Sequence, residues 1–77
     1  MTTYYQLGVF FNGYWWLVDD TEFATQDEAE EFRGRLTRNQ AHWAHYRIRR
    51  QGCPTRIVKV TEEVVQEFPG LPVEDEA

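Results

Sequence analysis

The dipeptide Asn12-Gly13 interrupts a segment, residues 4–19, that is otherwise rich in aromatic and β-branched side chains. Asn-Gly is the pair that best accepts the two left-handed backbone conformations of a type I′ turn, whose twist matches that of antiparallel strands. Such a turn at these positions places Val9 opposite Trp16. The sequence therefore predicts a β-hairpin whose register is set at its tip.

The two sides of this hairpin differ in composition. Because side chains alternate along a strand, one side is almost wholly apolar and is expected to face the core: Leu7, Val9, Phe11, Tyr14, Trp16 and Val18. The other side mixes polar residues with large apolar ones, namely Phe10, Trp15 and Leu17. Large apolar groups on that second side are candidates for contact with a partner.

The stretch Thr25-Gln26-Asp27-Glu28 has the form of a capping box, so a helix is expected to begin there. Apolar residues follow at helical spacing, at Ala29, Phe32 and Leu36. Acidic residues occupy the first half of this segment and arginines the second, an order that complements the helix dipole. The pattern predicts one amphipathic helix that packs on the hairpin, with Phe32 near the centre of the sheet.

The second half of the chain is less clearly patterned. Residues 46–50 alternate apolar and basic, which favours a half-exposed strand, and residues 55–61 are β-branched enough for a fourth strand. Residues 61–68 fit either a short helix capped by Thr61 or an extended edge, because Val64-Val65 suits both. The prediction is an α+β fold in the order ββαββ, with a four-stranded, mainly antiparallel sheet and one helix on one face.

The chain is expected to form a single domain over 1–68, followed by a Pro- and Gly-containing acidic tail, 69–77, that is disordered. Besides Leu7, Val9, Phe11, Trp16 and Val18 of the hairpin, the predicted core takes in the apolar helix positions and the inward positions of the later strands: Ala29, Phe32, Leu36, Ile48, Val60 and either Ile57 or Val58. One cysteine among 77 residues permits no intramolecular disulfide, so the core alone must stabilise the fold.

Charge is ordered along the chain. Residues 1–32 hold seven acids and no Lys or Arg, residues 33–59 hold all eight basic residues and no acid, and residues 60–77 hold six acids. This separation either steers a charged partner or draws the chain's own blocks together. Both interpretations remain open from the sequence alone.

No motif indicates catalysis. His42, His45 and Cys53 do not match the ligand spacing of a zinc site, and a thiol beside Pro54 in a small domain offers little cleft for nucleophilic chemistry. The neighbouring carboxylates of Asp19 and Asp20 are expected to be solvated. We therefore expect no enzyme, no organic cofactor and no metal.

The pattern favours a binding module instead, whose partner is a protein, with a second copy of the chain or a component of nucleic-acid machinery among the candidates. Trp, Tyr and Arg dominate interface hot spots, and the expected contact residues are Phe10, Trp15, Leu17, Trp43, Arg47, Arg49, Arg50 and Arg56. The alternative is nucleic-acid binding by the basic block Arg47–Lys59, which the sequence pI near 4.9 disfavours.

The expected location is the cytoplasm, because no apolar run approaches the roughly 20 residues that span a bilayer and no signal peptide is evident. In size, acidity and hairpin-plus-helix pattern the chain resembles small accessory proteins of phages and mobile elements. That resemblance implies a regulator or inhibitor and assigns no site residues.

Overall fold

The computed structural model describes residues 1–73, which form a three-stranded antiparallel sheet with helices on one side. The elements are β1 (Thr2–Phe11), β2 (Tyr14–Leu17), α1 (Gln26–Leu36), α2 (Trp43–His45), a π-helical turn (Tyr46–Arg50) and β3 (Thr55–Glu62). The strand order is β2-β1-β3, so the longest strand lies at the centre. The α+β class is confirmed. No helix within residues 1–73 is long and apolar enough to cross a membrane.

The hairpin forms as the Asn-Gly pair predicts. Asn12 and Gly13 both have positive φ angles, 52° and 85°, as a type I′ turn requires. Val9 pairs with Trp16, which is the register expected from a two-residue turn. The turn chemistry therefore determines which side chains of β1 and β2 share a face.

Helix α1 begins at the predicted capping box. The Thr25 hydroxyl accepts a hydrogen bond from the Glu28 N–H (3.2 Å), and the Glu28 carboxylate accepts one from the Ala24 N–H (3.2 Å). The return bond thus reaches one residue further back than the usual reciprocal pair. Acidic residues lie in the first turn and arginines in the last, in agreement with the helix dipole.

The predicted strand over 46–50 is wrong, because these residues are helical. A hydrogen bond of π-helical type joins the Gln51 N–H to the Tyr46 carbonyl (3.1 Å). Ala44 is fully buried and Ile48 packs against the core, and these two residues lie four apart, as the inward positions of a helix do. The described sheet has three strands, and ββαββ is not the observed order.

The C-terminal part of the chain also differs from expectation. Strand β3 runs on to Glu62, which pairs with Thr2 of β1, so residues 61 and 62 belong to a strand and not to a helix. Residues 63–73 form neither helix nor strand, and their apolar side chains are exposed. The predicted acidic tail falls partly on residues 74–77, which lie outside the described residues.

The core lies between one side of β1 and the helices. Its buried side chains are Leu7, Val9, Val18, Phe23, Ala29, Leu36 and Ala44. Phe11, Phe32, Ile48 and Ile57 pack against this cluster and are only partly buried. The sequence did not predict Phe23 and Ala44, which enter the core from a loop and from the start of α2.

Two residues predicted in the core lie elsewhere. Trp16 is exposed: it stacks on Phe11 and its indole N–H donates to the Phe11 carbonyl (3.0 Å), so its outer surface faces solvent. Val60 pairs with Tyr4 on the opposite side of the sheet from the helices. Trp16 therefore faces the core side of the hairpin without being buried, whereas Val60 lies on the other side of the sheet.

Replacement of Leu36 by Ala removes a side chain that is 2% exposed, and we expect it to lower the free energy of unfolding by about 2 to 5 kcal/mol. Leu71→Ala is the matched control, since Leu71 is 89% exposed, and a change within about 0.5 kcal/mol is expected. Urea denaturation followed by circular dichroism measures both. Equal losses in the two variants would contradict the described core.

Candidate binding surfaces

The helices cover one side of the sheet, and within residues 1–73 no element covers the other. We call this other side the open face; it comprises Tyr4, Gln6, Gly8 and Phe10 of β1, Trp15 and Leu17 of β2, and Arg56, Val58 and Val60 of β3. The segment 63–73 does not lie over it, because the apolar side chains of that segment remain exposed. A sheet face with this many aromatic and aliphatic groups is normally buried.

Trp15 is the centre of the open face. Its ring lies 5.3 Å from that of Phe10, and the Arg56 guanidinium lies 4.3 Å above it in a cation–π contact. Beside Trp15, the missing side chain of Gly8 leaves a shallow groove of about 150 Å³. The Trp15 ring is thus contacted by Phe10 and Arg56, and the residue is still 38% exposed.

A second aromatic group, the tip cluster, lies on the helix side of the hairpin and consists of Phe11, Tyr14, Trp16 and Trp43. The rings of Phe11 and Trp16 are stacked at 5.1 Å, and Trp43 meets Phe11 edge-on at 6.1 Å. Arg47 caps the Phe11 ring at 4.1 Å. The tip cluster extends the core toward solvent.

A third surface is a cleft of about 570 Å³ between the end of α1 and the π-helical turn. We call it the basic cleft; it is lined by Thr37, Arg38, Gln40, His45, Tyr46, Arg49 and Arg50. The His45 Nδ1–H donates to the Leu36 carbonyl (2.9 Å), which ties the cleft wall to the last turn of α1. Every charged side chain that lines this cleft in the described chain is basic.

The residues predicted as partner contacts are divided among these three surfaces. Phe10, Trp15, Leu17 and Arg56 lie on the open face, Trp43 and Arg47 in or beside the tip cluster, and Arg49 and Arg50 in the basic cleft. The predicted strand over 46–50 would have carried Arg47, Arg49 and Arg50, and these residues are helical instead.

Arg38, which lines the basic cleft, was not among the contact residues predicted from the sequence. Tyr46, Arg49 and Arg50 have the spacing i, i+3, i+4, which on a helix places them on one side. This signal was present in the sequence. It was concealed by the alternation that favoured a strand over the same five residues.

The histidines have structural partners. His42 caps the start of α2 by accepting from the Ala44 N–H (3.0 Å), and its other ring nitrogen pairs with the Asp19 carboxylate, which holds the loop after β2 against α2. Because Nδ1 is the acceptor, Nε2 carries the proton toward Asp19. Within residues 1–73 no three His, Cys, Asp or Glu side chains group closely enough to hold a metal ion.

The three surfaces differ in chemistry. The open face is aromatic and aliphatic with one arginine, the tip cluster is aromatic, and the basic cleft is polar with three arginines. Comparison with protein-family models, with curated proteins and with solved structures finds no match to this chain.

One hydrogen bond at the margin of the open face has a measurable consequence. The Tyr4 hydroxyl donates to the Glu62 carboxylate (2.6 Å), and this bond, with the negative charge of Glu62, raises the pKa of Tyr4 to about 12 from its ordinary value of 10.0. The hydrogen bond therefore contributes fully to the free energy of unfolding below about pH 10, the pKa of a free tyrosine. This contribution is lost as the pH rises through the pKa of Tyr4 in the folded protein.

Replacement of Glu62 by Ala is expected to lower the pKa of Tyr4 toward 10, because both the acceptor and the negative charge are removed. The Tyr4 ring resonances, followed by NMR through the alkaline range, report this pKa directly. Glu63→Ala removes a neighbouring carboxylate that does not bond Tyr4, and it is expected to leave the pKa near 12. An unchanged titration in Glu62→Ala would contradict the hydrogen bond.

Proposed function

We propose that the protein is a non-enzymatic protein-binding module and that the open face is its contact surface. The observation that carries the proposal is the uncovered side of the sheet, where Trp15 lies between Phe10 and Arg56. Trp and Arg are among the residue types that contribute most to binding energy at interfaces. The proposed role is that of a regulator or inhibitor that acts in the cytoplasm by covering a surface of its partner. Such a role requires a binding surface and no catalytic group.

Rigidity supports the same proposal. Strand β1 is paired on both sides, to β2 and to β3, so the backbone beneath the open face is fixed before any partner arrives. The contacts of Phe10 and Arg56 restrict the Trp15 ring in the same way. Binding then loses little side-chain entropy, for which the usual cost is about 0.5 to 1.5 kcal/mol per immobilised side chain.

The chemistry of the open face also describes its partner. The groove beside Gly8 is lined by Trp15, Leu17 and Val58 and suits one apolar side chain. No carboxylate among residues 1–73 lies within ion-pair distance of Arg56. The contact of the guanidinium with the Trp15 ring leaves its N–H groups able to donate hydrogen bonds to a partner. The partner is therefore a protein surface that presents an apolar side chain next to an acidic one.

Trp15→Ala should abolish capture of the partner from a lysate of the native host, because it removes the anchor of the open face. Trp43→Ala is the matched control: Trp43 is also an exposed tryptophan and lies on the other side of the sheet. Mass spectrometry identifies the captured proteins. The expected partner is retained by the parent chain and by Trp43→Ala and is lost from Trp15→Ala.

With an identified partner, calorimetry is expected to show a loss of about 2 kcal/mol or more for Trp15→Ala, with weak dependence on salt. Circular dichroism confirms that both variants are folded. If Trp43→Ala loses the partner and Trp15→Ala retains it, the contact surface is the tip cluster and the proposal is wrong.

A further inference from the structure

Arg38, Arg49 and Arg50 meet in the basic cleft, although Arg38 lies in the turn after α1 and the other two lie in the π-helical turn. No described carboxylate, from residue 1 to residue 73, lies within ion-pair distance of any of the three. Two other arginines make side-chain hydrogen bonds within the fold: Arg33 donates to the Thr55 hydroxyl (2.7 Å) and Arg47 donates to the Gln51 amide oxygen (2.6 Å). The three cleft arginines have no such hydrogen bond within the same residues.

The fold itself does not neutralise this positive charge. The cleft lies at the C-terminal end of α1, where the helix dipole supplies about −0.5 of a charge, far less than three guanidinium charges. The acidic residues of α1, from Asp27 to Glu31, lie about 7.5 to 13.5 Å before its last residue, Leu36, along the helix axis at 1.5 Å per residue. That distance is about one to two Debye lengths at physiological salt, so these carboxylates offset only part of the positive charge of the three arginines.

The other cleft residues add features that a purely electrostatic patch lacks. Tyr46 is 55% exposed at the cleft and offers a ring for stacking, while Thr37 and Gln40 offer hydrogen-bonding groups. The guanidinium fork matches the geometry of phosphate oxygens. The volume of about 570 Å³ accommodates a group the size of a nucleotide.

We infer that the basic cleft binds single-stranded nucleic acid, with Arg38, Arg49 and Arg50 on its phosphates and Tyr46 stacked on a base. Arginines that track a backbone beside an aromatic ring are the recurring features of single-strand recognition. An acidic protein segment would satisfy the arginines and would leave the Tyr46 ring without a role. This site is separate from the open face and does not depend on the function proposed above.

The test is fluorescence anisotropy with a labelled oligothymidylate of about ten nucleotides. The double variant Arg49→Gln/Arg50→Gln is expected to weaken binding at least about tenfold, since each lost charged hydrogen bond is worth about that much. The slope of log affinity against log salt should fall by about 1.4, because each lost phosphate contact reduces the slope by about 0.7 and the double variant loses two contacts.

Arg35→Gln/Lys59→Gln is the control, because it removes the same charge from residues outside the cleft. It is expected to keep the parent slope. Circular dichroism melting establishes that both double variants are folded. A slope that falls equally in the two would show diffuse attraction and overturn the site.

The aromatic contact is tested separately. Tyr46→Leu is expected to weaken binding several-fold without changing the salt slope, and Tyr46→Phe is expected to restore it, because stacking requires a ring and not the hydroxyl. An oligoglutamate of equal charge serves as the competitor. If it displaces the oligonucleotide at equal concentration and Tyr46→Leu binds like the parent, the cleft is a site for acidic protein segments and the inference is wrong.

Discussion

Packing on one side of β1 is the interaction on which the remaining structure depends. Leu7 and Val9 are fully buried there, beneath Leu36 of α1 and Ala44 of α2. A chain of this length supplies helical surface enough for one side of a sheet, and a small domain leaves a large share of its surface exposed. The open face is thus a direct result of size: once the helices lie on one side, no described element remains to cover the other.

The elements that the sequence predicted correctly are those determined by local chemistry. Asn12-Gly13 sets the hairpin through backbone conformation alone, and the capping box of Thr25 and Glu28 sets the start of α1 through two hydrogen bonds. Residues 46–50 were mispredicted because two apolar positions in five residues fit both the two-residue repeat of a strand and the 3.6-residue repeat of a helix. Burial of Ala44 and Ile48 on one side of a helix decides between them, and that packing is a tertiary effect.

The two proposed sites differ in the same way. Strand alternation and the turn place Phe10 and Trp15 on one side, so the open face was accessible from sequence. The basic cleft was not, because it joins Arg38, in the turn after α1, to residues of the π-helical turn. Neither element alone forms a cleft, and the sequence gives no indication of how the two approach each other.

The order of pairing in the sheet has a consequence for folding. The hairpin joins residues close in sequence, whereas β3 pairs with β1 across most of the chain, from Thr2 to Glu62. Closing so long a loop is entropically slow. Because Arg56 reaches Trp15 only when β3 is paired with β1, the open face depends on this long-range pairing. During synthesis the hairpin aromatics therefore emerge well before the arginine that contacts Trp15.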